Sequence, residues 1–284
     1  MRFFLGSETI SNHGTSTGIW PRFLLQMISL GKMAFGDDFK DKRITVYYKT
    51  VMPELENLYD IYHKIFNLLD DYKEGIQNGK YYKINKQGQF SHERQNEVEI
   101  INLTKDFFIR GKITLVNFVK SEVIDDDKFC FSNFFFCGDD KFEKIKFEYL
   151  NSSDGRYKPL IDLIEKANKT FLKDFNIIRG EIEHKLFSIE KFKIEKSQDD
   201  TFVLEPMLGD KILSVKLEYF YENIMDFIEK IFVYFLGINA EIKYNGFLTL
   251  DINRDYNYPS LEYKYLFSFG GVKSAISVDK CLYD

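Results

Sequence analysis

The chain has 284 residues, 44% of them hydrophobic and 17% aromatic, with 29 Phe and 18 Tyr and a formal net charge of −5. That apolar content suffices for a large core and excludes a disordered chain. The acidic balance disfavours a general nucleic-acid coat, although a protein that touches RNA at one cleft needs only a local basic patch.

The first 18 residues are rich in Gly, Ser and Thr and read as a flexible N-terminal segment; His13 sits in it with no partner nearby in sequence. There is no h-region of a signal peptide and no run of about 18 apolar residues, so a cytoplasmic protein without a membrane span is expected. The three Cys show no zinc spacing, and Cys130 and Cys137 read as reduced core thiols.

Pro21 opens an apolar segment, Phe23 to Phe35, that reads as a short helix. From Pro53, the residues Leu55, Leu58, Ile61, Tyr62, Ile65, Phe66, Leu69 and Tyr72 give a wide apolar helical face, on which His63 reads as a packing or surface residue. Residues 79–96 are polar, with Lys80, Lys83, Lys86, His92 and Arg94, and read as a solvated loop. Helix resumes over 96–110, and Ile113 to Val119 is helical or buried. Asp125 to Asp127 lack an alternating ligand pattern and read as a turn, not a metal site. Phe129 to Phe136 should be core.

After Ser152-Ser153-Asp154-Gly155, Pro159 suits the first turn of a long helix expected to end near Phe187. Its apolar stripe is Leu160, Ile164, Ala167, Phe171, Phe175, Ile178, Ile182 and Leu186. Ile189 to Lys196 alternates in charge and reads as a short strand. It places Lys185, Lys191 and Lys193 close behind His184 as a local basic patch. Pro206 and Gly209 precede another helix, with Leu213, Leu217, Phe220, Ile224, Phe227, Ile231 and Phe235 as its stripe and Gly237 as its end. Residues 239–284 alternate between apolar and turn residues and read as a small β-rich C-terminal appendage. The fold class expected is mainly α.

The chemistry concentrates beside the long stripe. At about 100° per residue, Arg179 falls at its edge, and Glu183, Gly180 and His184 follow around the adjoining flank, with Asn176 and Phe187. Arg179 and Glu183 also have the spacing of an ordinary solvated ion pair, worth a few tenths of a kcal/mol. Gly180 leaves a dent through which a second helix could approach.

Arg179-x4-His184, with Glu183 directly before the His, resembles the signature of the HEPN superfamily, small helical domains of which many are metal-independent endoribonucleases of toxin and antiviral systems. Where many members carry a polar residue after the Arg, this chain has Gly180; where some carry a Tyr two residues after the His, it has Leu186. The resemblance implies an antiparallel helical bundle over residues 19–238, no metal and no cofactor. It implies a homodimer that builds one composite site from two protomers, and an antitoxin or sensor protein as a possible further partner.

In such a site His184 would exchange protons with the RNA 2′-OH and the leaving 5′-oxygen. Arg179 would hold the phosphate with its two-pronged guanidinium, and Glu183 would orient either residue. Lys185, Lys191 and Lys193 would contact RNA, and Gly180 and Phe187 would face the second protomer. The alternative is a catalytically inactive relative that binds RNA or a nucleotide, or serves as a scaffold. A helical interaction protein with no nucleic-acid role is a further one.

Overall fold

In the computed structural model the helix expected after Pro53 runs from Met52 to Gln77 (α1) and follows a single π turn, Tyr47–Val51. The structure describes residues 31, 35–36, 45–84, 86, 90–92, 94–121, 134, 138–152, 157–184, 186–196, 201–244, 246–250 and 265–269. The segment 1–18, Asp125 to Asp127, Cys130, Cys137, Lys185 and residues 270–284 lie outside these, as does most of the segment 23–35. The described residues are mainly helical, with four separate antiparallel strand pairs.

Residues 48–228 make one compact unit. In it α1 buries Leu55, Leu58, Ile65, Leu69 and Tyr72 of the apolar face read from the sequence, while Ile61, Tyr62 and Phe66 of that face are half-buried. The polar stretch after it is not a plain loop. Gly79, at φ 72°, turns the chain, and β1 (Tyr82–Ile84) pairs with β2 (Phe90–His92) in the register Tyr82↔His92. Asp71, in the second half of α1, contacts the chain on both sides of this hairpin, accepting a hydrogen bond from the Tyr81 hydroxyl at 2.6 Å and one from the Asn96 amide at 3.2 Å.

Helix α2 (Gln95–Lys120) is longer than expected and runs through Gly111 without a break. It lies antiparallel to α1: Lys64 meets Glu99 at 2.9 Å, and at the other end the Thr114 hydroxyl donates to the Glu54 carbonyl at 3.2 Å. A helix the sequence did not announce, α3 (Asp139–Ser152), is mostly exposed and packs Phe142 against Phe134.

The long motif helix is one rod in three parts. Helix α4 (Lys158–Ala167) passes through a π turn, Asn168–Leu172, into α5 (Lys173–Glu183). Leu160, Ile164, Ala167, Phe171, Phe175 and Ile178 are buried as the stripe requires. The stripe fails at its end: Leu186 is 73% exposed. The helix stops at Glu183, and the Leu186 and Phe187 amides both donate to the Glu181 carbonyl.

Two hairpins follow. β3 (Lys193–Lys196) pairs with β4 (Thr201–Leu204), and β5 (Met207–Leu208) with β6 (Lys211–Ile212) around Gly209 at φ 68°. Strand β3 lies within the segment 189–196 expected to be extended, and its partner β4 lies beyond it. They deliver Glu205 to the start of α6 (Leu213–Tyr244), where its carboxylate accepts the Ser214 N–H at 2.8 Å and pairs with Lys73 at 2.7 Å. A carboxylate at a helix N-terminus satisfies donors that have no partner within the helix and meets the positive end of its dipole. The core of the unit centres on Phe108, Phe175 and Phe220 from α2, α5 and α6, whose ring centres stand 5.1, 5.4 and 5.5 Å apart in tilted and edge-to-face pairs.

The second unit comprises residues 1–47 and 229–280. Its described part includes the later half of α6, with Phe35 on Phe235 and Tyr47 on Phe232, and the strand pair β7 (Gly246–Leu250) and β8 (Tyr265–Phe269). Gly237 does not end α6, which continues to Tyr244. Phe235, Leu236 and Ile238 are buried around it, and that burial outweighs the roughly 1 kcal/mol that a glycine costs within a helix.

Candidate functional site

The π turn sets the geometry of the motif helix. In an uninterrupted α-helix Asn168 and Asn176 would point about 80° apart. A π turn takes up the equivalent of one extra residue, about 100° of rotation, and brings the two within about 20° of one line. On α5 itself Lys173 and Arg179 fall about 60° to either side of Asn176. The rod therefore presents a central row of two carboxamides flanked by two cations.

A third cation comes from α2. Gly111 allows that helix to approach: a β-carbon there would stand 2.8 Å from Phe175 Cζ and 3.3 Å from Ile224 Cδ1. The close contact carries the next residue, Lys112, to the edge of the motif helix. Lys112, Gly138, Asp139, Asn168, Lys173, Asn176, Ile177 and Arg179 line one open cleft of about 500 Å³. Among the described residues that line it are three cations and one carboxylate, Asp139, which stands 3.8 Å from Lys173.

The electrostatics favour an anion. The Arg179 side chain is only 22% exposed and pairs with Glu183, the i,i+4 contact read from the sequence. Burial lowers its pKa from the ordinary arginine value. Lys112 is also lowered, first by burial and then by the Arg179 charge beside it. Two partly desolvated like charges repel each other, and an anion between them relieves that repulsion. Neither the Asn168 nor the Asn176 carboxamide has a hydrogen-bond partner among the described residues.

His184 caps α5 just past its last residue, Glu183. It is exposed, its amide donates to the Gly180 carbonyl at 3.0 Å, and its ring is not among the groups lining the cleft. Gly180 is half-exposed, with nothing within 4 Å of where its β-carbon would stand, so the dent is open in the single chain. Phe187 is half-buried just beyond. Lys191 and Lys193 are exposed and do not line the cleft; Lys193 lies 3.6 Å from Glu190. His63 packs on α1 against Tyr59 and Tyr62, with ring centres at 4.1 and 5.1 Å. Arg94 is engaged by Glu97 through two bonds of 3.0 and 3.3 Å.

Lys112, Asn168 and Lys173 belong to the site and escaped sequence reasoning. Gly111, inside an otherwise apolar helical run, was the one available signal of a close approach. Among the described residues no group of three or more His, Cys, Asp or Glu could hold a metal ion, and no helix is long and apolar enough to cross a membrane. Compared with known proteins, the chain matches no family model, no curated protein and no solved structure.

Proposed function

We propose that the chain is a HEPN-like endoribonuclease of the toxin or antiviral type, acting in the cytoplasm and cleaving RNA by attack of the substrate's own 2′-OH. The observation that carries this is the setting of Arg179. The motif arginine, mostly withdrawn from water, shares a cleft with Lys112 and Lys173 in a chain of net charge −5. A cationic cleft of this kind is what a phosphodiester backbone requires.

In this reading Arg179 holds the scissile phosphate and stabilises the charge that builds on its oxygens. His184 exchanges a proton with the 2′-OH or the leaving 5′-oxygen. One helix supplies one imidazole, and cleavage is best served by two protonatable groups. A homodimer packed along Gly180 and Phe187 supplies the second His184 and a second Arg179. Glu183 holds the guanidinium, and Lys185, Lys191 and Lys193 extend the RNA track beyond the helix end. The helical unit is then a HEPN-like bundle, and an antitoxin or sensor protein is the partner that restrains it.

One observation favours a second reading, an inactive RNA- or nucleotide-binding relative: His184 stands outside the lining of the cleft that holds Arg179. Cleavage decides between the two. Purified protein should cut single-stranded RNA in excess EDTA, and Arg179→Ala and His184→Ala should each lower the rate by at least about a hundredfold. An RNA that is bound but never cut establishes the second reading.

A further inference from the structure

The Arg179 cleft holds more than phosphate-binding groups. Asn168 and Asn176 are brought into one row by the π turn and have no hydrogen-bond partner among the described residues. A π turn departs from the better hydrogen-bond geometry of the α-helix, and such turns recur at functional sites. Beside the row Ile177 is 53% exposed, an apolar surface inside a polar cleft. Cations flank these groups on both sides, Arg179 with Lys112 on one and Lys173 on the other.

Phosphate alone requires neither carboxamides nor an apolar face. The edge of a nucleobase requires both donors and acceptors, which a carboxamide supplies together. Unpaired RNA bases can be splayed into a pocket and read on those edges. A cleft of about 500 Å³ is of ordinary size for a small ligand.

We infer that the cleft takes one nucleotide unit of a single-stranded RNA, with its phosphate between Lys112 and Arg179 and its base against Ile177 and the Asn168–Asn176 row, so that the two asparagines set a base preference. The inference rests on the RNA reading above for its ligand class and deepens it by naming the residues that select the sequence. Lys112 and Lys173 act on the backbone and are indifferent to the base. Asn168 and Asn176 act on the base and contribute little to the salt dependence.

The test measures binding, so that it stands apart from cleavage. His184→Ala protein is titrated by fluorescence anisotropy with hexamers of A, of C and of U over a range of salt. The tightest and weakest should differ by about tenfold, the discrimination that one well-placed amide contact gives. Asn176→Leu, and separately Asn168→Leu, should reduce that difference to about twofold with the salt slope unchanged. Lys112→Gln should weaken all three hexamers alike and lower the salt slope by about 0.7, one phosphate contact on a single strand.

Equal binding of the three hexamers overturns the inference. So does a base preference that survives in both leucine variants, each checked for folding by its thermal melt. A base preference in a protein whose unaltered form never cuts RNA refutes the nuclease reading and leaves the base pocket standing. Cleavage without base preference does the reverse, and binding to none of the hexamers removes both.

Discussion

The same substitution, glycine to alanine, should act with opposite sign at two positions that flank the site. At Gly111 a β-carbon would lie 2.8 Å from Phe175 Cζ, 3.2 Å from Phe175 Cε2 and 3.3 Å from Ile224 Cδ1. Carbon atoms in comfortable contact stand about 3.5–4.0 Å apart. The Phe175 ring cannot simply retreat, because it is fully buried with the rings of Phe108 and Phe220 at 5.1 and 5.5 Å. Overpacking of this kind costs about 1–3 kcal/mol, and exchanging glycine for alanine in a helix returns about 0.5–1 kcal/mol. Gly111→Ala should therefore lose about 1 kcal/mol, and the strain should separate Lys112 from Arg179. At Gly180 nothing lies within 4 Å of the added carbon, so only the helix term acts, and Gly180→Ala should gain about 0.5–1 kcal/mol. Urea unfolding of the two variants beside the parent gives both numbers. A Gly111→Ala protein as stable as the parent would show that α2 and α5 have room to spare and that Gly111 does not set the position of Lys112.

Gly180→Leu should leave the folded monomer intact but block the approach of a second copy, lowering dimerisation by sedimentation and RNA cleavage together; full activity from a monomer removes the composite site. Lys216→Met should cost about 1–3 kcal/mol in a denaturant melt, because its side chain is 6% exposed and holds Asp174 at 2.5 Å and Asp210 at 2.7 Å, and both carboxylates can return to water. The hydrogen bond from Lys146, and then that from Lys169, hold the Glu165 carboxyl below its ordinary pKa of 4.5. A depressed carboxylate contributes stability above its ordinary pKa and loses it as pH falls, so Glu165→Gln should flatten the acid limb of a plot of melting temperature against pH below about 4.5. An unchanged acid limb would show that the two lysines do not hold it.

What the sequence disclosed, and what it did not, divides along the line between local pattern and tertiary approach. The stripe from Leu160 to Ile178 is local, and its residues are buried as their spacing requires. Arg179 at its edge is local too, and so is its pairing with Glu183. The helix end was misjudged because Leu186 is apolar by type yet exposed in place, and spacing does not report burial. Gly237 misled in the opposite sense, since packing around Phe235 and Ile238 outweighed a local stop signal. The hairpin of Tyr82 and Phe90 has three-residue strands, too short for alternation to show. Lys112 joins Arg179 across 67 positions of sequence through a contact that only Gly111 hints at. The π turn that aligns Asn168 with Asn176 leaves no mark in the residue pattern, because its five residues continue the helical stripe through Phe171.

If Arg179 and His184 cut RNA through the substrate's 2′-OH, the end groups of the products carry the signature of that route. Purified protein is incubated in excess EDTA with a labelled RNA and with the same oligonucleotide carrying a 2′-deoxy sugar at the scissile position. The products should carry a 2′,3′-cyclic phosphate on one fragment and a 5′-OH on the other, the 2′-deoxy substrate should stay whole, and Arg179→Ala and His184→Ala should each be slowed at least about a hundredfold. Cleavage of the 2′-deoxy substrate, or activity lost to EDTA and restored by magnesium, would rule out attack by the 2′-OH without metal.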